Sequence, residues 1–226
     1  MLTLLTAVNE ITVYHKIAAV AAVAVSSYLL GSICFAIIVT YIFTKEDIRK
    51  KGSGNAGTAN VFRSVGPAAG ILTGLFDFLK GVLAVYIGYN LFKLVGFERY
   101  TGGTFAALLV LIGHLYPVFF KYRGGKGVMT MGGILIILNY KVFLVLLVIY
   151  LLTFLIWRIT SVSGLVSAAL LPVVNAVICI IEEKYWINTT VFFAISTVLI
   201  FYAHRENIKR LMEGRENKLK VKKKDK

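Results

Sequence analysis

Seven stretches dominated by apolar residues, at about 17–43, 67–92, 104–120, 127–138, 142–157, 163–181 and 189–203, constrain this chain more than any other feature. A helix that crosses a bilayer needs about 20 mostly apolar residues, with roughly 17–25 the usual range. The sequence therefore predicts an all-α, polytopic membrane protein with seven transmembrane helices. Its charge content supports this: 16% of the 226 residues are charged, against about 25% in a typical soluble domain. The fourth and fifth stretches are separated only by Asn139, Tyr140 and Lys141. Fusing them would leave six crossings and split the polar segments described below between two sides.

The position of Lys and Arg orients the bundle, because short cytoplasmic loops carry the excess of these residues. With seven spans, one side receives nineteen of the 25 basic residues, from Lys45, Arg49, Lys50, Lys51 and Arg63 through Lys121, Arg123, Lys126 and Arg158 to the ten between Arg205 and Lys226. The other side receives five, Lys16, Lys93, Arg99, Lys141 and Lys184, and Lys80 stays inside a span. The expected topology thus has the N-terminus outside and the C-terminus in the cytoplasm. Before the first apolar stretch stand Glu10 and His15 rather than a cationic n-region, so the stretch reads as a retained span and not as a cleaved signal. One integral-membrane domain over 1–214 is expected, followed by a basic cytoplasmic tail over 215–226 that lies solvated near anionic lipid. Cys34 and Cys179 sit within apolar runs and the three histidines have no paired-ligand spacing, so neither a disulfide framework nor a metal centre is expected.

Four polar segments face the cytoplasm under this topology, and loops on one side of a bundle can meet at one site. The first, TKEDIRKKGSGNAGTANVFRSVG at 44–66, is longer than a helix-to-helix link requires. Gly52, Gly54 and Gly57 with Ser53, Asn55, Thr58 and Asn60 suit a nest of N–H groups around an anion, and Arg49 and Arg63 suit bidentate contact with phosphate oxygens. The alternative is a glycine-rich turn that only returns the chain to the membrane. Residues 52–57 formally match G-x-G-x-x-G but follow a basic loop instead of a strand, which removes the dinucleotide reading. The second segment, KYRGGKGVMT at 121–130, sets Gly124, Gly125, Lys126 and Gly127 at a helix N-terminus, an anion site in waiting or a set of positive-inside anchors. The third, TSVSG at 160–164, offers Ser161 and Ser163 as caps or as ligands. In the fourth, HRENIKRL at 204–211, helical spacing puts His204, Asn207 and Ile208 on one face, with Lys209 and Arg210 facing elsewhere.

Two polar features lie at membrane depth. Asp77 and Lys80, three residues apart, read as a neutralising ion pair within the second span. His114 lacks an aspartate five residues on, where Phe119 stands, so a His-x-x-x-x-Asp catalytic pair is absent from the sequence.

In their order and spacing, GSICFA at 31–36, GSGNAGTANVFR at 52–63, DFLKG at 77–81, GHLYPVFFKYRGGKGVMT at 113–130 and HRENIKRL at 204–211 resemble the motifs of the bacterial membrane glycerol-3-phosphate acyltransferases that take their acyl chain from acyl phosphate. The resemblance implies a seven-span bundle in the bacterial plasma membrane with an external N-terminus and a site facing the cytoplasm. It implies transfer of a fatty acyl group to the 1-hydroxyl of glycerol 3-phosphate, giving lysophosphatidic acid and phosphate in the first step of phospholipid synthesis. By position it makes Ser53, Arg63, His204 and Asn207 the catalytic group. Gly52, Gly54, Asn55, Gly57, Asn60, Gly125, Lys126, Gly127 and Ser161 then bind substrate phosphate. The chain departs from the family pattern with GTAN for GATN in the first loop and with SVSG in the third, which weakens the assignment at Thr58 and Gly164.

These residues suit direct attack on an already activated acyl phosphate, with charge stabilised by fixed cations and N–H groups. No cofactor, no nucleic acid and no obligate protein partner are expected; the partners are the two substrates and membrane lipid. A different class, a transporter of phosphate or small phosphate esters, also gathers helix ends at an anion site, but it should show pseudo-symmetric halves and mid-membrane polar groups. No internal repeat is present here.

Overall fold

The computed structural model describes residues 2–182 and 187–218. Its regular structure is helical: α1 (Leu2–Ser32), α2 (Phe35–Thr44), α3 (Thr58–Ser64), α4 (Pro67–Leu94), α5 (Arg99–Leu115), α6 (Val128–Leu138), α7 (Tyr140–Trp157), α8 (Thr160–Ile181), α9 (Ile187–Ala203) and α10 (Arg205–Met212), with single 3-10 turns at Ile48–Lys50 and Val118–Phe120. Among the described residues, five segments are long and apolar enough to cross a membrane: Thr12–Thr44, Pro67–Leu94, Arg99–Phe120, Tyr140–Trp157 and Thr160–Ile181. The fourth and seventh expected stretches form the shorter apolar helices Val128–Leu138 and Thr189–Ala203. Eleven residues of α6 rise only about 17 Å, roughly half the hydrocarbon core.

Two stretches differ from the sequence reading. The first is broken between α1 and α2 at Ile33 and Cys34, and Lys80 Nζ donates to the freed Ile33 carbonyl at 2.9 Å. A carbonyl released inside an apolar bundle needs such a partner, so the buried lysine of α4 permits the break. The third stretch leaves α-helix at Leu115 instead of running to 120, because Pro117 follows and cannot continue the ladder. Between α6 and α7 the chain turns at Asn139, whose side chain accepts from Val142 N–H at 3.3 Å. The fourth and fifth stretches are therefore separate helices.

Helix α5 packs between α1 and α4, α6 packs on α4, and α7, α8 and α9 follow one another. Backbones touch where glycines face each other: a Cβ on Gly88 or Gly102 would strike the other helix's carbonyl, and one on Gly133 would strike the carbonyl of Phe78. Packing through small residues is what membrane helices use in place of a hydrophobic drive. In α7 only Val142 and Leu146 are buried, and Leu151, Leu152, Leu155 and Ile156 point outward, as a lipid-facing helix requires. Lys184 and residues 219–226, which entered the charge comparison, lie outside the described residues.

Candidate active site

The 44–66 connection is shaped from within by Asn60, which is 2% exposed. Its Oδ1 accepts from Ser53 N–H at 3.0 Å, and its Nδ2 donates to the carbonyls of Lys51 and Asn55, each at 3.0 Å. Gly52, at φ +55°, sits against this amide, where a Cβ would meet Asn60 Oδ1 and Ser64 Oγ. Asn60 and Gly52 thus form the internal frame of the loop, and their polar atoms turn inward.

The two arginines of this loop separate. Arg49 is held bidentately by Asp47, at 2.7 Å for the Nη2 contact, and donates through Nη1 to Phe120 O at 2.8 Å. It fastens the first loop to the second and is not the phosphate clamp that the sequence reading offered. Arg63, on α3, is half-buried and lines a polar cavity of about 200 Å³; among the described residues it makes no hydrogen bond or ion pair. Burial, with Arg210 nearby, lowers its pKa from the ordinary arginine value, while Glu216 opposes the shift.

Lys126 enters the same cavity from the 121–127 loop and donates to Asn207 Oδ1. That loop is pinned by N–H donation from Gly124 to Leu115 O at 3.2 Å and from Gly125 to His114 O at 3.1 Å. Gly127, at φ +85°, turns the chain into α6. Burial first, then repulsion from Arg210, brings the Lys126 ammonium down to about 8. Ser161, in the first turn of α8, completes a second helix N-terminus at the cavity, so two sets of free N–H groups and two positive dipole ends converge there.

His204 and Asn207 stand together as their spacing suggests, 2% and 5% exposed, and both line the cavity. His204 Nδ1 lies 2.8 Å from Ile200 O; a carbonyl only accepts, so Nδ1 carries the proton and Nε2 has the free lone pair. Burial, and then Lys126, push the imidazole down to about 4, which keeps it neutral near pH 7. Arg210, expected on another face, turns inward to Glu216, with Nε to Oε2 at 2.8 Å.

Of the thirteen residues expected at the site, Ser53, Asn55, Gly57, Asn60, Arg63, Lys126, Gly127, Ser161, His204 and Asn207 line this cavity. Gly54 and Gly125 line an adjoining one of about 380 Å³ with Arg210, and Gly52 lies behind Asn60. Three residues went unrecognised as part of the site. Glu216, 5% exposed at its side chain, accepts from Ser161 Oγ at 3.0 Å and from Asn207 Nδ2 at 2.7 Å. Glu216 belongs to the expected basic tail, yet its carboxylate stands in the cavity wall. In sequence it stands among the lysines and arginines beyond the last helix, with Glu213 and Asp225 as the other acidic residues there. Asp77 and His114 also line the cavity. Asp77 pairs with Lys80 at 2.8 Å as expected, and its Oδ1 lies 3.6 Å from His114 Nδ1. A different helix thus brings a carboxylate near His114, but no hydrogen bond joins the two and the aspartate is paired with Lys80.

Comparison with known proteins gives one consistent result. A family model described as glycerol-3-phosphate acyltransferase matches residues 21–214. The chain is 43% identical over 201 residues to a glycerol-3-phosphate acyltransferase of Pelagibacter ubique, covering 88% of this chain and 97% of that one. It is also similar to crystal structures of PlsY (YgiH), an integral membrane glycerol 3-phosphate acyltransferase. The glycerol 3-phosphate form matches with TM-score 0.79 and 34% identity, over 89% of this chain and 96% of that one. The lysophosphatidic acid form matches with TM-score 0.76 and 33% identity, over 89% and 95%.

Proposed function

Because the chain belongs to the glycerol-3-phosphate acyltransferase family, we propose that it moves a fatty acyl group from acyl phosphate to the 1-hydroxyl of glycerol 3-phosphate. The observation that carries this reading is a polar cavity lined by Arg63, Lys126 and two helix N-termini that continues into an apolar groove through the shared residues Val128, Met129 and Tyr150. A phosphate and a hydrocarbon tail on one substrate need that pairing of environments side by side. The transporter reading is set aside, since every relative described above is an acyltransferase.

In this reading the substrate hydroxyl oxygen attacks the acyl carbonyl carbon, the new ester C–O bond forms, and the C–O bond to phosphate breaks. The departing phosphate takes the bonding pair, and Arg63, Lys126 and the helix N-termini stabilise its charge. Ser53 and Asn207 sit where they can hold the glycerol phosphate. His204 presents the Nε2 lone pair to the hydroxyl and orients it. An imidazole held near 4 is a weaker base than a phosphate dianion, whose conjugate acid has pKa about 6, so the hydroxyl proton passes to a phosphate oxygen. The chemistry uses no acyl-enzyme and no cofactor. In this reading the site faces the cytoplasm of a bacterial plasma membrane, with the N-terminus outside and seven apolar helices in the bundle; the excess of basic residues on the loops that build the site supports that orientation.

The test is phosphate release from palmitoyl phosphate by purified protein in lipid, with and without glycerol 3-phosphate, for wild type and Arg63→Ala. Release that requires glycerol 3-phosphate, yields acylated product and collapses in the variant supports the reading. Well-folded wild type that transfers no acyl group refutes it.

A further inference from the structure

The apolar groove has a floor. It is a cavity of about 190 Å³ between α6, α7 and α8, with Phe78 of α4 at one wall. Helices α6 and α8 run away from the polar cavity and α7 runs back toward it, so the groove can be measured along three walls. Seven residues separate Val128 from Leu135, Tyr150 from Phe143, and Gly164 from Leu171, the outermost lining positions on each helix. At 1.5 Å per residue each wall is about 10 Å long. Leu135 and Leu171 are 4% and 1% exposed, and beyond them Leu138 and Val142 fill the interior. Phe143 meets Phe78 edge to face, with ring centroids 6.0 Å apart, over Gly132, where a Cβ would lie 3.3 Å from the Phe78 ring and 3.6 Å from the Phe143 ring.

We propose that the rung formed by Leu135, Phe143 and Leu171 is the floor of the acyl-chain site and sets which chain length the enzyme prefers. This rests on the acyltransferase reading above and adds to it the residues that read the tail. The occupant is the acyl tail of the phosphate-bearing substrate, because Val128, Met129 and Tyr150 belong to both cavities and no polar wall stands between them. The groove's aliphatic hydroxyl, Ser167 Oγ, already donates to Leu146 O at 3.5 Å, and its other hydroxyl belongs to Tyr150, at the end shared with the polar cavity. A single leaflet's hydrocarbon is about 15 Å deep, so the groove accommodates about two thirds of such a tail. A tail longer than the groove therefore meets Leu135, Phe143 and Leu171 before it is fully seated. Tail carbons gain little by leaving lipid for an equally apolar groove, so length is read through fit at the floor.

The experiment measures kcat/KM for decanoyl phosphate and hexadecanoyl phosphate in the same lipid medium and takes their ratio. Leu171→Ala lowers the floor and shifts the ratio toward hexadecanoyl phosphate by about tenfold, the discrimination that one or two methylenes exert in an apolar pocket. Ala168→Leu fills the groove above the floor and shifts it the same amount toward decanoyl phosphate. Gly132→Ala, a smaller intrusion between the two rings, gives a shift of the same sign and serves if Ala168→Leu fails to fold. An unchanged ratio in Leu171→Ala and Gly132→Ala, both still active, would show that ordinary membrane lipid fills the groove, and it overturns the proposal while the acyltransferase reading stands. Wild type inactive on both donors overturns the acyltransferase reading instead.

Discussion

Asn207 Nδ2 donates to Glu216 Oε1 at 2.7 Å, across the turn that follows α10. The same oxygen accepts from Ser161 Oγ at 3.0 Å, and the carboxylate's other oxygen takes Arg210 Nε at 2.8 Å. One side chain thereby ties the first turn of α8 to α10 and leaves Asn207 Oδ1 directed at Lys126. Glu216→Ala removes all three contacts and is expected to lower kcat/KM about ten- to hundredfold, the consequence of losing one charge-assisted hydrogen bond of about 1.5–3 kcal/mol. Glu216→Gln keeps an acceptor for Ser161 and should lose less. Steady-state kinetics on both variants, with a thermal melt to register folding, checks this; equal losses would show that only the charge matters.

The pH dependence follows from Lys126. Its folded pKa is lowered to about 8, so the cation is complete below that pH and is lost as pH rises through it. The kcat/KM for glycerol 3-phosphate should be level between about pH 7 and pH 7.5 and fall above about pH 8. Bound phosphate favours the charged lysine, so the fall in kcat comes at higher pH than the fall in kcat/KM. Glu216 works to raise the Lys126 pKa; Glu216→Gln therefore moves the break in kcat/KM to lower pH. A break that stays in place in this variant would separate Lys126 from the observed titration.

His204 gives a steric prediction as well as a chemical one. A Cβ on Gly164 would lie 3.7 Å from His204 Nε2 and 3.1 Å from Val128 Cγ2. Gly164→Ala therefore sets a methyl group beside the lone pair offered to the hydroxyl and is expected to raise KM for glycerol 3-phosphate several-fold with little loss of stability. His204→Ala should lower kcat about a hundredfold through loss of hydroxyl orientation. Near-normal kcat in His204→Ala at saturating glycerol 3-phosphate would remove the orienting role.

The residues that sequence located well are those whose position along the chain fixes their depth. His204, Ser161 and Lys126 each end or begin an apolar run, so counting residues brings them to one surface. Asp77, His114 and Glu216 entered the cavity by tertiary folding alone: two lie within spans and one beyond the last helix, and the contacts that gather them cross between helices. The break at Ile33 and Cys34 was hidden for a similar reason. Nothing local in an apolar run signals a lost hydrogen bond when the partner that compensates it, Lys80, is supplied by another helix.

Arg49 and Arg63 test whether the structure separates scaffold from site within one loop. Arg49 is held by Asp47 and donates to Phe120 O, whereas Arg63 faces the cavity without a partner among the described residues. Arg49→Ala should lower thermal stability by about 1–3 kcal/mol, since it removes a partly exposed ion pair and one charged hydrogen bond. Its KM for glycerol 3-phosphate should stay within about threefold of wild type. Arg63→Ala should do the reverse, with an unchanged melt and kcat/KM reduced by about a hundredfold or more. Arg63→Lys retains charge but not the planar fork that grips two phosphate oxygens, so it recovers only part of the loss. A paired set of melts and kinetics on the three variants decides the matter. If Arg49→Ala and Arg63→Ala proved alike in both measurements, the distinction drawn from their hydrogen bonds would fail.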